Sequence, residues 1–282
     1  MTNQTDATGL QLQLSTRVIK WIALFSMLCD HFAKVFLSGL INHPWPNAST
    51  VAFFHSEQII RLHEALQHFG RLAFPLFAFL LVEGFYLTRN RWKYLRRIFI
   101  FALISEIPFD LGFRYSNLAP AAGRLIEFSY QNVLFTLAIG LFAMILIEWI
   151  LTKFGTASPM TILIAFIAVG CIWLGNRLEV DYHAYGVAAI LVAYAIRKVG
   201  SIRSDSGTVS PLPVQWRTAE MLLLIIPLLL MNTSEAWALI DVGLIALYSG
   251  KRGGRMNKWF FYVFYPAHLL ILALLRIFLT AG

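Results

Sequence analysis

Residues 18–40 read VIKWIALFSMLCDHFAKVFLSGL. A helix needs roughly 20 mostly apolar residues to cross the hydrocarbon core of a bilayer, and this stretch meets that length while carrying Asp30, His31 and Lys34 inside it. The rest of the chain agrees. Of its 282 residues, 58% are hydrophobic and 13% are charged, and the mean hydropathy is +0.66. Soluble domains carry about a quarter charged residues, so these charges are too few to cover a water-soluble globule. A disordered chain, in turn, would not contain 23 Phe, 8 Trp and 10 Tyr. The expected fold is all-α: a polytopic integral membrane bundle of eight or nine transmembrane helices, forming a single domain over residues 1–282.

Working outward from the first stretch, candidate spans fall at 17–40, 70–88, 94–112, 131–152, 159–175, 183–199, 218–231, 236–250 and 258–280. The first 14 residues lack a basic n-region and a small-residue cleavage site, so the first span is expected to be an uncleaved anchor. The formal charge of +8 would suit a nucleic-acid partner if it were one patch. Laid over alternating loops it becomes an orientation signal instead. Sixteen of the 23 Lys and Arg residues gather on one side, among them Arg89, Arg91, Lys93, Arg96, Arg97, Lys251, Arg252 and Arg255. Six, including Arg61, Arg71, Arg114, Arg124 and Arg276, fall on the other, and Lys34 lies within the first span. The amino terminus is therefore expected on the cytoplasmic side and the carboxyl terminus outside. Runs 218–231 and 236–250 are short for full crossings and read either as tilted helices or as a re-entrant hairpin.

Ionisable residues in lipid cost several kcal/mol unless paired or wetted, so each is a functional candidate. Asp30 and His31 lie about 20 Å up the first helix, and Asp30 shares a face with Lys34 four residues on. His268, two residues after Pro266 and three after Tyr265, reaches a similar depth in the last span, so two histidines from opposite ends of the chain can meet. Glu106 and Asp110 share one face of the third span, where Arg71 is expected to join them in a buried network. Glu83 is expected to find a basic partner such as Arg89 or Arg97. Gln131 and Asn132 open the fourth span, and Asp181, Tyr182, His183 and Tyr185 precede the sixth, where Asn or Asp commonly caps a helix.

Residues 41–69 are expected to form an extracytoplasmic loop and 200–215, rich in Ser, Gly and Pro, a cytoplasmic linker. The loop holds His43, His55, His63 and His68, but no HExxH is present and no metal is expected. Cys29 and Cys171 sit in apolar runs as small packing residues and suggest neither a disulfide framework nor a zinc cage.

The segments DHFAKVF, GRLAFPLFAFLLVEGFYLTRNRWKYLRRIFIFALISEIPFDLGF, QNVLFTLAIG, DYHAYGVAAILVAYAIR and FYVFYPAHLLIL together resemble the TraX family of bacterial inner-membrane proteins. That resemblance implies an acetyltransferase acting on the amino terminus of a conjugative pilin, with acetyl-CoA as co-substrate. The residues suit such chemistry. Acyl transfer needs a base, donors for a developing oxyanion and cations for the CoA phosphates. His31 is the expected base, with Asp30 and His268 as its catalytic neighbours. Arg71, Glu83, Glu106, Asp110, Asn132 and Tyr265 are the expected substrate-side groups. Arg89, Arg96, Arg97, Lys251 and Arg252 are the expected CoA contacts, with Gly253 and Gly254 allowing close backbone approach. Two other classes compete with this one: a proton- or ion-coupled transporter using Asp30, His31, Glu83 and Glu106, and a non-enzymatic pilin assembly factor.

Overall fold

The computed structural model describes residues 13–113, 129–203, 212–254 and 257–280. Arg114, Arg124, Arg255 and positions 204–211 of the expected linker lie outside them. The first span begins where Ser15 caps α1 (Thr16–His31), its hydroxyl accepting from the Val18 amide. It continues without a break through a π-helical stretch, Phe32–Leu37, into α2 (Ser38–Ile41). The widened turn begins one residue after His31, and such insertions re-aim side chains where a regular helix would not.

The expected loop at 41–69 holds two helices, α3 (Ala48–Phe54) and α4 (Glu57–Gly70). Helix α4 packs along α1 and its π stretch. After a break at Arg71 and Leu72 the chain continues as α5 (Ala73–Leu87). Then follow α6 (Arg91–Phe113), α7 (Val133–Phe154), α8 (Ile162–Arg177), α9 (His183–Arg203) and α10 (Val214–Met231). A 3-10 helix, Thr233–Leu239, leads into α11 (Ile240–Ala246), and α12 (Lys258–Thr280) closes the chain. Among the described residues there is no strand beyond two isolated bridges, Leu14 with Tyr248 and Gln131 with Val180.

The protein is an all-helical membrane protein. Among the described residues, seven helical stretches are long and apolar enough to cross a bilayer. Helix α6 matches them in length but carries Arg96, Arg97, Glu106 and Asp110, too many charges for an apolar span. The expected run 236–250 is not one long helix. The 3-10 and α segments between Thr233 and Ala246 together rise about 24 Å, because a 3-10 turn climbs faster per residue than an α turn. That carries the chain from Glu235, which meets Arg71, back to Tyr248, which bonds Thr16 at the start of α1.

The bundle's outer surface is apolar: Phe166, Val169 and Trp173 of α8, Leu230 and Phe278 are all exposed. Lipid tails are as apolar as these side chains, so helix association rests on close packing and polar pairs. Gly140 shows the packing, since a Cβ there would meet Ile190 at 2.7 Å. The end bearing Thr16, Arg91, Arg217 and Lys251, called here the basic end, shows the polar pairs. Arg197 donates to both Glu220 oxygens at 2.8 and 3.0 Å and lies 3.9 Å from Glu83. Glu83 in turn accepts from the Tyr248 hydroxyl. These groups clamp α5, α9, α10 and the segment before α12. The expectation of Arg89 or Arg97 as Glu83's partner is corrected: the cation is Arg197, on a helix that local spacing could not bring into view.

Candidate active site

Three elements converge on one buried chamber. Ser26 of α1 donates its hydroxyl to the Phe69 and Gly70 carbonyls, satisfying acceptors at the end of α4 that the helix break leaves open. Gly70 makes the approach possible, because a Cβ there would lie 2.4 Å from the Asp30 Cβ. The third element is α12, whose His268 reaches His31.

The two imidazoles meet directly. His31 Nδ1 lies 2.6 Å from His268 Nε2, and His268 Nδ1 lies 2.7 Å from the Phe264 carbonyl. A carbonyl can only accept, so His268 Nδ1 carries a proton and its Nε2 presents a lone pair. His31 Nδ1 therefore donates to that lone pair, which leaves His31 Nε2 as an unprotonated acceptor. His31 and His268 are only 6% and 5% exposed, and the rings are within 13° of parallel. Phe113 and Tyr265 stand edge-on around His31. This is the nucleophile-activating logic of a base oriented by a second group, with a backbone carbonyl terminating the relay.

The chamber measures about 80 Å³ and is lined by Asp30, His31, Phe74, Asp181, Tyr182 and Tyr265 among others. A water needs some 10–15 Å³ of such space, so the chamber has room for several waters or for a group the size of an acetyl. Asp30 Oδ2 pairs with Lys34 at 2.8 Å, as its spacing predicts, while Oδ1 is buried without a hydrogen bond. The Tyr265 hydroxyl is buried and finds no acceptor in the protein.

Asp181 and Tyr182 arrive by a strained turn. The bridge between Gln131 and Val180 fixes the turn, with Gln131 N to Glu179 O at 2.9 Å and Asp181 N to Gln131 O at 2.8 Å. Glu179, Tyr182 and His183 all have positive φ, which costs a non-glycine residue of order 1 kcal/mol each and tends to persist at functional sites. Tyr182 is held by stacking on Phe74, centroids 4.1 Å apart, and Asp181 accepts from the Tyr130 hydroxyl at 2.6 Å. Burial raises the Asp181 carboxyl above its ordinary range. Residue types at 181–183 indicate only a helix start; the left-handed turn that brings Asp181 and Tyr182 to the chamber has no signal in them.

A second cavity, about 320 Å³, opens toward the basic end, with Lys20, Thr88, Tyr94, Arg97 and Tyr262 along it. It shares Phe77, Leu134, Leu137 and Phe261 with the chamber, so these four side chains form the wall between the two. Lys20 sits 5.0 Å over the Phe261 ring.

Of the other expected site residues, Arg97 lines this cleft, and Arg252 lies within electrostatic reach of Lys20. Arg96 is exposed elsewhere, Arg89 borders a separate surface hollow with Glu148, and Lys251 lines another with Arg217. Glu106, Asp110 and Asn132 are buried beside the chamber without lining it. Asn132 caps α7 through the Leu134 amide and donates to Glu106 Oε2 and the Ala102 carbonyl, fastening α6 to α7. The expected Arg71–Glu106–Asp110 network does not form. The break after α4 turns Arg71 toward the 3-10 helix, where it pairs with Glu235 at 2.7 Å. The loop histidines separate as well: His63 meets Ser38, His68 stacks on Trp237, and His43 packs on Trp45.

A family model described as TraX protein matches residues 15–276. A protein from Dichelobacter nodosus, "Probable fimbrial assembly protein FimC, serogroup H1", is 28% identical over 274 residues, which covers 95% of this chain and 98% of that protein. No solved structure matches.

Proposed function

This chain belongs to the TraX family, and from that premise we propose that it is a membrane-embedded acetyltransferase. In this reading it moves an acetyl group from cytoplasmic acetyl-CoA to an extracytoplasmic acceptor, the N-terminal amine of a pilin subunit, across the bacterial inner membrane. The observation that carries the proposal is the His31–His268 relay on a chamber that shares one wall with a cleft from the basic end. That end, by its charge, faces the cytoplasm.

The chemistry follows from the free groups. CoA phosphates would sit among Arg97, Lys20 and Arg252, and the thioester arm would pass between Phe77, Leu134, Leu137 and Phe261. In the chamber the amine nitrogen attacks the thioester carbonyl while His31 Nε2 takes its proton. His268 keeps the lone pair correctly placed, and the oxyanion accepts from the Tyr265 hydroxyl. The intermediate collapses by breaking the C–S bond, and the CoA thiolate takes the proton from His31 Nε2. Atoms balance as acetyl-CoA plus amine giving acetamide plus CoA thiol. The chamber's size fits an acetyl group.

The name of the Dichelobacter relative favours a second reading, a pilin assembly factor without chemistry. Purified protein incubated with isotopically labelled acetyl-CoA and a peptide bearing a pilin-like free amino terminus separates the two. Acetyltransfer puts the label on the peptide's α-amine. Label that stays on CoA would leave an assembly factor or an ion-coupled transporter.

A further inference from the structure

At the basic end, apart from the cleft, lies a pocket of about 640 Å³ lined by Gln13, Val214, Arg217, Tyr248, Ser249 and Lys251 among others. That volume admits an organic ligand as readily as a small anion. Arg217 is its distinctive member. It is 8% exposed, and its Nε and Nη1 atoms are buried without a hydrogen-bond partner. Buried donors left unmade carry a desolvation penalty that a ligand acceptor would relieve.

The neighbouring acids do not fill that role. Glu220, three residues along α10, gives both oxygens to Arg197, and Glu83 accepts from Tyr248. Among the described residues no carboxylate lines the pocket, whereas Lys251 does. The guanidinium is steadied over the Tyr248 ring, 5.3 Å from its centroid. Val214, the first residue of α10, also lines the pocket, and no side chain caps that helix. The start of that helix, with the positive end of its dipole, therefore adjoins the same space. Buried guanidinium, rim ammonium and uncapped helix start together match the geometry that recognises phosphate.

We propose that this pocket binds a phosphate-bearing anion through the Arg217 guanidinium, assisted by Lys251 and the α10 amino terminus. The inference does not depend on acetyl transfer. The same chemistry could come from the nucleotide end of an acyl donor, an anionic lipid headgroup or free phosphate.

The test uses the full-length purified protein and reads binding without turnover, so its failure is distinct from failure of the transferase reading. Thermal unfolding is followed in neutral detergent with adenosine 3′,5′-bisphosphate or inorganic phosphate, and in nanodiscs of phosphatidylcholine with and without phosphatidylglycerol. At least one phosphate probe should raise Tm saturably, by mass action on the folded state. Arg217→Gln should weaken its apparent affinity about tenfold, and Lys251→Gln about threefold. Nucleotide alone acting identifies the first source, phosphatidylglycerol alone the second, and phosphate alone the third. If no probe shifts Tm, or if the shift survives both substitutions undiminished, the site is not there. Should Arg217→Gln fail to fold, Lys251→Gln, at the exposed rim, decides between these outcomes.

Discussion

Two buried polar clusters sit in this bundle, and they are built differently. At the basic end, Arg197, Glu220, Glu83, Tyr248 and Thr16 largely consume one another's hydrogen-bonding capacity. In the chamber, the His31–His268 pair ends in an unengaged His31 Nε2, and of the lining residues Asp30 has an unbonded Oδ1 and Tyr265 a hydroxyl that finds no acceptor in the protein. Both clusters are expensive in a membrane. Apart from Arg197 Nη2, the paired groups of the first cluster hold helices together, whereas the unpaired ones of the chamber reserve capacity for a substrate. Substitutions that separate stability from turnover therefore test the contrast.

The largest effect is expected at His31. Replacing it with Gln should reduce acetyl transfer by about 10³-fold, within the range for a lost general base, while Tm stays within a few degrees of wild type. His268→Gln should cost about 10²-fold, because it removes the orientation of the base and not the base itself; steady-state rates on a common peptide rank the two. Arg197→Met inverts the pattern. It leaves Glu220 buried without its cation, so the folded state should be destabilised by roughly 3 kcal/mol, with activity per folded molecule retained. Gly70→Ala should lower both properties, by about 1–3 kcal/mol in stability, since the added methyl collides with Asp30 and pushes α4 off α1. The narrowest change is expected for Tyr265→Phe: about 10²-fold in kcat, the low end for a lost oxyanion donor, with KM and Tm unchanged.

Much of this contrast was legible in the sequence, and the remainder was hidden for identifiable reasons. The pairing of Asp30 with Lys34 follows from one helical turn, and the meeting of His31 with His268 follows from matched depth in the first and last spans. Partners set by tertiary packing were not legible. Glu83 meets Arg197, on a helix far along the chain, in preference to the nearer Arg89 or Arg97. Arg71 meets Glu235 because of the break between α4 and α5; Gly70 and Pro75 flank it in the sequence but do not give the direction in which it turns the side chain. The turn before α9 looked like an ordinary helix start, since positive φ at Glu179, Tyr182 and His183 has no marker in residue type. Asp181 and Tyr182 therefore came into the chamber unforeseen. Lys20 read as a topology charge before the cleft gave it a place beside Arg97.

The central claim is that the imidazole of His31 performs base chemistry on an acceptor inside the bundle. Intact-mass analysis of a free-amine pilin peptide, after incubation with acetyl-CoA and either wild-type or His31→Gln protein of matched Tm, tests it directly. The account predicts an acetylated peptide from wild type and an unmodified one from the variant. Equal acetylation by both proteins, or none by either, would contradict it.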